Sequence, residues 1–220
     1  MRILIFGATG MVGQGALREC LRDGRVTEIL SIVRAPSGVS DPKLTEIILT
    51  DLTLIASQAS RLGHFDACLY CVGVSALGMS EAQYTEVTHD LTMTIAKVLI
   101  RRNPAMTFIY VSGTGTSRNS HQMWARVKAQ TEDELAAMKF KAVFDFRPGF
   151  IQPLHGVTSK TGWYTAQYLL TRPFAPLFVY LFPRLATTTE RLGRAMLKVA
   201  ADGYPVRVLE NIDINAAGGA

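Results

Sequence analysis

Residues 7–13 read Gly7-Ala8-Thr9-Gly10-Met11-Val12-Gly13, between an apolar run at 3–6 and a segment of helical period at Met11–Arg22. A turn of this kind makes specific demands on its residues. One glycine makes it tight, and another lets the backbone approach a bound pyrophosphate. A third small residue lets the helix pack on the sheet. The N–H groups at the helix start then face the phosphates. Glycine spacing alone is a weak signal, but here it follows the first strand and opens a helix. Gly7, Ala8, Thr9, Gly10, Met11, Val12 and Gly13 are therefore expected to cradle a dinucleotide.

The rest of the chain supplies the context such a turn needs. Apolar or β-branched runs recur at 3–6, Glu28–Val33, 45–49, 67–72, Thr107–Val111 and 143–146. Helical-period segments at Met11–Arg22, 81–102 and 121–138 lie between them. Continuous apolar strands alternating with helices predict a parallel sheet buried on both faces. With right-handed crossovers this is a doubly wound, Rossmann-like α/β fold. At 220 residues the chain is expected to form one domain. After Pro153 its character changes: residues 161–183 are apolar and aromatic, interrupted by Arg172, Pro173, Pro176 and Pro183. A helix at 189–201 and a strand at 206–209 follow. Residues 153–220 are expected to form a small C-terminal helical cover on the substrate side.

Charge and cysteine content exclude several classes. The net charge of +5 is diffuse, with no basic run or basic–aromatic interleaving, so a nucleic-acid partner is not expected. Cys68 and Cys71 have Cys-x-x-Cys spacing but sit in a strand run, whereas redox pairs open a helix. They read as core cysteines of a reducing compartment, and the N-terminal apolar run is too short for a signal peptide. The location expected on these grounds is cytoplasmic. No His/Cys/Asp spacing suggests a metal. Arg34 ends the second strand where an NAD-preferring site usually carries Asp or Glu. An arginine there pairs with a 2′-phosphate, so NADP(H) is favoured over NAD(H), against a plain solvated arginine.

These residues resemble the extended and atypical short-chain dehydrogenases/reductases, most closely the Tat-interacting-protein-like branch. The Gly-x-x-Gly-x-x-Gly turn carries the likeness, together with Val127-Lys128-Ala129-Gln130-Thr131-Glu132 and Phe146-Arg147-Pro148-Gly149. The resemblance implies that Asp51 and Leu52 contact adenine, although Asp51 is also placed to cap a helix starting near Thr53. It implies that Cys71, Val72 and Gly73 line the cofactor, and that Pro148, Gly149, Phe150 and Ile151 lie beside the nicotinamide. It makes Ser112 the catalytic serine and gives Lys128 the nicotinamide ribose.

One position departs from that pattern. The family pairs Tyr with Lys one helical turn later, and this chain reads Trp124-Ala125-Arg126-Val127-Lys128. An indole N–H donates a hydrogen bond but does not titrate usefully. Three explanations compete. Another group supplies the proton: His121, Tyr164 or Ser112. Or hydride transfer needs little proton help, as in quinone reduction. Or the chain binds NADP(H) without catalysis, as a sensor. The expected activity is that of an oxidoreductase acting on a small carbonyl or quinone-like substrate. The chain is expected to act as a monomer or homodimer. For residues 161–183, a substrate lid is favoured over a membrane-surface contact or a subunit interface.

Overall fold

The computed structural model describes residues 1–157, 179 and 181–219. The six expected strands form, with helices between all but the second and third: β1 (Arg2–Phe6), β2 (Glu28–Val33), β3 (Leu44–Ile48), β4 (Ala67–Tyr70), β5 (Thr107–Val111) and β6 (Ala142–Arg147). A seventh, β9 (Val208–Glu210), completes a parallel sheet of order β3-β2-β1-β4-β5-β6-β9. Alternating side chains explain why the strand runs are continuously apolar. Ile3 and Ile5 point into one core, Leu4 and Phe6 into the other, and all four are fully buried.

The first core lies under α1 (Met11–Arg22), α5 (Thr189–Asp202) and α6 (Asn211–Gly218). The second lies under a 3₁₀ helix (Leu52–Arg61), α3 (Leu91–Arg102) and α4 (Met123–Ala137). Asp51 starts the 3₁₀ helix, its carboxylate accepting from the Thr53 N–H at 2.9 Å. The segment expected as one helix over 81–102 has three parts. They are α2 (Glu81–Thr85), a π-helical turn (Glu86–Asp90) and α3, with a Ser80/Gln83 capping box at the start. Helix α4 begins at Met123 rather than at 121, so His121 stands on the loop before it.

The C-terminal expectation needs correction. From Ala186 onward the described chain belongs to the α/β sandwich rather than to a cover. Helix α5 packs on α1 at a glycine crossing, where a Cβ on Gly15 would lie 2.6 Å from the Thr189 oxygen. A Cβ on Gly193 would lie 2.9 Å from the Gly15 oxygen. Side chains do not separate the helices there, so their backbones touch. The strand expected at 206–209 forms as β9, and α6, not anticipated, follows it. Two short strands, β7 (Phe150–Gln152) and β8 (Ala186–Thr188), pair in parallel as a separate sheet. The apolar run 161–183, with Tyr164, lies outside the described residues except for residue 179 and residues 181–183.

Candidate functional site

The parallel register brings the carboxyl ends of the central strands into one row, Phe6 beside Tyr70 and Tyr70 beside Tyr110. The loops after β1, β4, β5 and β6 therefore open into one crevice, the usual ligand position in such sheets.

Gly7 has φ +80°, and a Cβ there would lie 2.8 Å from the Cys71 carbonyl oxygen. At Gly13 a Cβ would lie 2.0 Å from the Gly7 oxygen. The turn closes through Gly10 N–H to Gly7 O at 2.9 Å. Gly10 caps α1 with no side-chain hydrogen bond, which leaves the first-turn N–H groups of Met11, Val12 and Gly13 for an anion. This is a cradle only glycines permit, and it fits a pyrophosphate. Ala8 is buried beneath it, and Thr9 is held by Gln14, whose amide donates to its carbonyl at 3.0 Å.

Around the cradle, Arg34 is exposed at the end of β2 with no ion-pair partner among the described residues. Asp51 is exposed and engaged as a cap, and its pKa lies below the usual carboxylate range because of Thr53. Leu52 is half-buried behind it. Cys71 and Val72 are half-buried beside Gly7. Gly73 is exposed in open space. Burial pushes the Cys71 thiol up to about 12, so it is no thiolate nucleophile.

On the far side of the crevice, Ser112 is buried at the end of β5, its N–H donating to Phe146 O at 2.7 Å. Its Oγ lies 3.0 Å from Thr116 Oγ1, a partner that the sequence does not announce. Half-buried Lys128 donates to Val111 O at 3.2 Å and lies over the Tyr110 ring, 5.4 Å from its centroid. Burial lowers the Lys128 ammonium pKa to about 8, partly opposed by Glu132 one turn later. Half-buried Trp124 packs its indole on the serine loop, 3.8 Å from a Cβ built on Gly113 and 3.7 Å from one on Gly115. His121 is exposed, and its carbonyl, not its ring, is engaged, accepting from Arg126 at 3.0 Å.

The turn after β6 is laced to the serine loop, with Thr114 N–H donating to Pro148 O at 3.1 Å and Thr114 Oγ1 to Arg147 O at 2.9 Å. Gly149 N–H donates to Asn211 Oδ1 at 2.9 Å. A Cβ on Gly149 would lie 2.3 Å from the Leu185 oxygen. Phe150 and Ile151 continue into β7, half-buried. Behind the turn, Glu132 binds Arg147 through both oxygens (3.0 and 2.5 Å), and Arg147 also reaches Glu210 at 3.1 Å. An open, charged groove of about 530 Å³ between the far end of α1 and α5 takes no part in this crevice.

The sequence profile described as "NAD dependent epimerase/dehydratase family" matches residues 3–136, more than half of the chain. The chain belongs to that family. The expected resemblance to extended short-chain dehydrogenases/reductases holds at this level. A curated relative, "Protein fmp52, mitochondrial" of Emericella nidulans, is 31% identical over 160 residues, 68% of this chain and 66% of the relative. The chain thus spans about two thirds of the length of such relatives. Counterparts from Aspergillus niger and Meyerozyma guilliermondii are also named mitochondrial, which overturns the cytoplasmic expectation.

The fold is shared with solved structures. A Burkholderia thailandensis oxidoreductase (short chain dehydrogenase/reductase family) superposes with TM-score 0.71 at 16% identity, over 97% of this chain and 92% of its own. A Burkholderia cenocepacia short chain dehydrogenase in complex with NADP gives 0.65 at 17%, covering 95% and 89%. Bordetella bronchiseptica WbmH in complex with NAD+ gives 0.65 at 14%, covering 91% and 72%. These likenesses establish the fold.

Proposed function

We propose that this member of the family is an NADP(H)-dependent oxidoreductase acting on a small carbonyl or quinone-like substrate without the family's tyrosine. The observation that carries the reading is one crevice holding the glycine cradle at one end and Ser112 with Lys128 at the other. The cradle's residues would hold the pyrophosphate, Lys128 the nicotinamide ribose, and the Pro148–Gly149 turn the nicotinamide face. Bound NADPH supplies a hydride. Arg34, exposed and without an ion-pair partner among the described residues, would meet a 2′-phosphate. Proteins of this fold are found in complex with NADP and with NAD+, so the preference rests on Arg34.

The test is turnover of NADPH and NADH with a panel of diketones and quinones, alongside binding titrations of both dinucleotides. NADPH is expected to bind tighter. Arg34→Ala is expected to weaken NADPH about 10- to 150-fold while leaving NADH nearly unchanged, since a charge-assisted bidentate contact is worth about 1.5–3 kcal/mol. An unchanged preference overturns the role of Arg34.

A second reading, a non-catalytic NADP(H)-binding regulatory protein, is favoured by Trp124 filling the tyrosine's position against Gly113 and Gly115. Tight NADPH binding with no turnover across the panel, and no gain in Trp124→Tyr, would decide for it.

A further inference from the structure

The proton for such a reduction must come from somewhere, and the described residues leave few sources. Thr116 Oγ1 donates to the Gly113 carbonyl at 2.8 Å. Its one proton is thereby used, so the Ser112 hydroxyl is the donor in the 3.0 Å pair with Thr116. That chain of hydroxyls ends on a carbonyl oxygen, which has no proton to pass on. Ser112 is therefore not reloaded as an acid.

The Tyr110 and Tyr70 hydroxyls are buried in the core beneath α4, and burial raises both well above the ordinary phenol value. Cys71 stays protonated for the same reason. Trp124 does not titrate. His121 stands on the loop before α4, outside the helix face that carries Lys128.

Lys128 differs from all of these. Its ammonium sits beside the last carbonyl before Ser112, and among the described residues only one of its three N–H groups is engaged, with Val111 O. It has no ion pair among the described residues, because the nearest carboxylate, Glu132, is bound to Arg147 through both oxygens. The groups acting on it are Tyr110 from β5 and Glu132 from its own helix, which is backed by Arg147 of β6, while Tyr84 of α2 acts on Tyr110. His89 of the π-helical turn faces the outer side of α4, at Gln130 and Glu134.

We propose that Lys128 is itself the general acid of this site, giving a proton from Nζ to the substrate oxygen. The proposal rests on the reductase reading above. The hydride forms the new C–H bond at the carbonyl carbon, and the dinucleotide is oxidised. The carbonyl π pair takes the proton from Lys128 as the new O–H bond. The neutral Lys128 amine then recovers a proton from water. A lysine titrating near 8 is matched to this task, because general acids work best near the operating pH.

Lys128→Arg separates this role from ribose binding. Arginine keeps the charge and the hydrogen-bond donors but does not release a proton. With a diketone such as 2,3-butanedione, whose reduction needs the proton, and saturating NADPH, kcat is expected to fall at least about 100-fold in K128R, the scale of one lost general acid. NADPH affinity is expected to stay within about tenfold. In the wild type, kcat is expected to fall with rising pH above about 8, as the ammonium is lost. Independently of turnover, wild-type protein labelled at lysine Cε is expected to show one signal titrating near 8 by NMR, absent from K128R. K128R retaining more than a third of kcat, or no lysine titrating well below 10.5, overturns the proposal alone. A wild type inactive on the whole panel overturns the reductase reading as well.

Discussion

Gly13 sits where a single methyl group has no room, and the obstacle is backbone rather than a side chain that could swing aside. Its built Cβ lies 2.0 Å from the Gly7 oxygen, whereas at Gly10 the same distance is 3.3 Å. Gly13→Ala is therefore expected to distort the cradle, weakening NADPH at least about tenfold and costing about 1–3 kcal/mol of stability. Gly10→Ala should cost clearly less. Fluorescence titration and thermal unfolding of the pair check this, and equal effects would refute the geometric account. This residue-level need was visible in the sequence because glycine is the one residue whose chemistry announces a backbone constraint. Thr116 and Glu132 were not visible in the same way. A threonine or glutamate looks ordinary until folding brings the Ser112 hydroxyl or the Arg147 guanidinium against it.

At the scale of elements, the period of apolar residues placed Met11–Arg22 and Glu28–Val33 to the residue. Both patterns are set by burial, a stripe of helical period in the first and a continuous apolar run in the second. The reading failed where pattern gave no purchase. Strands β7 and β8 have three residues each, too few to show a period. The π-helical turn at Glu86–Asp90 keeps the helical look of 81–102 because one wider turn barely disturbs the spacing of apolar residues. Helix α5 was expected, but its seat on α1 was not, since Gly15 and Gly193 make contact only after both helices form. Gly193→Leu is expected to push α5 off α1 and lower stability by about 1–3 kcal/mol. For a chain of this size that is a drop of several degrees in melting temperature, at about 2–4 °C per kcal/mol. An unchanged melting temperature would mean that the crossing carries no packing constraint.

Across the whole molecule, charge is buried where the sheet meets its last strand. Asp145, fully buried on β6, pairs with Arg207, while Arg147 links Glu132 to Glu210 on β9. Burial first, and then Glu132, push the Asp145 carboxyl up to about 7 against the pull of Arg207 and Arg147. An unfolded aspartate loses its proton near about 4. Between these values the folded state holds more protons, so on account of this group stability falls as pH rises from about 4 to about 7. Asp145→Asn, which cannot ionise, is expected to flatten the slope of melting temperature against pH across that window. A slope identical to the wild type would show that Asp145 is ionised throughout.

The pairing of Phe150–Gln152 with Ala186–Thr188 also bears on how such a chain diversifies. It fixes where the chain leaves the fold after Gln152 and where it returns at Ala186, one strand spacing apart. A change in the number of residues between those two strands therefore leaves the register of the seven-stranded sheet and the glycine turn where they are, at an entropic cost that grows only logarithmically.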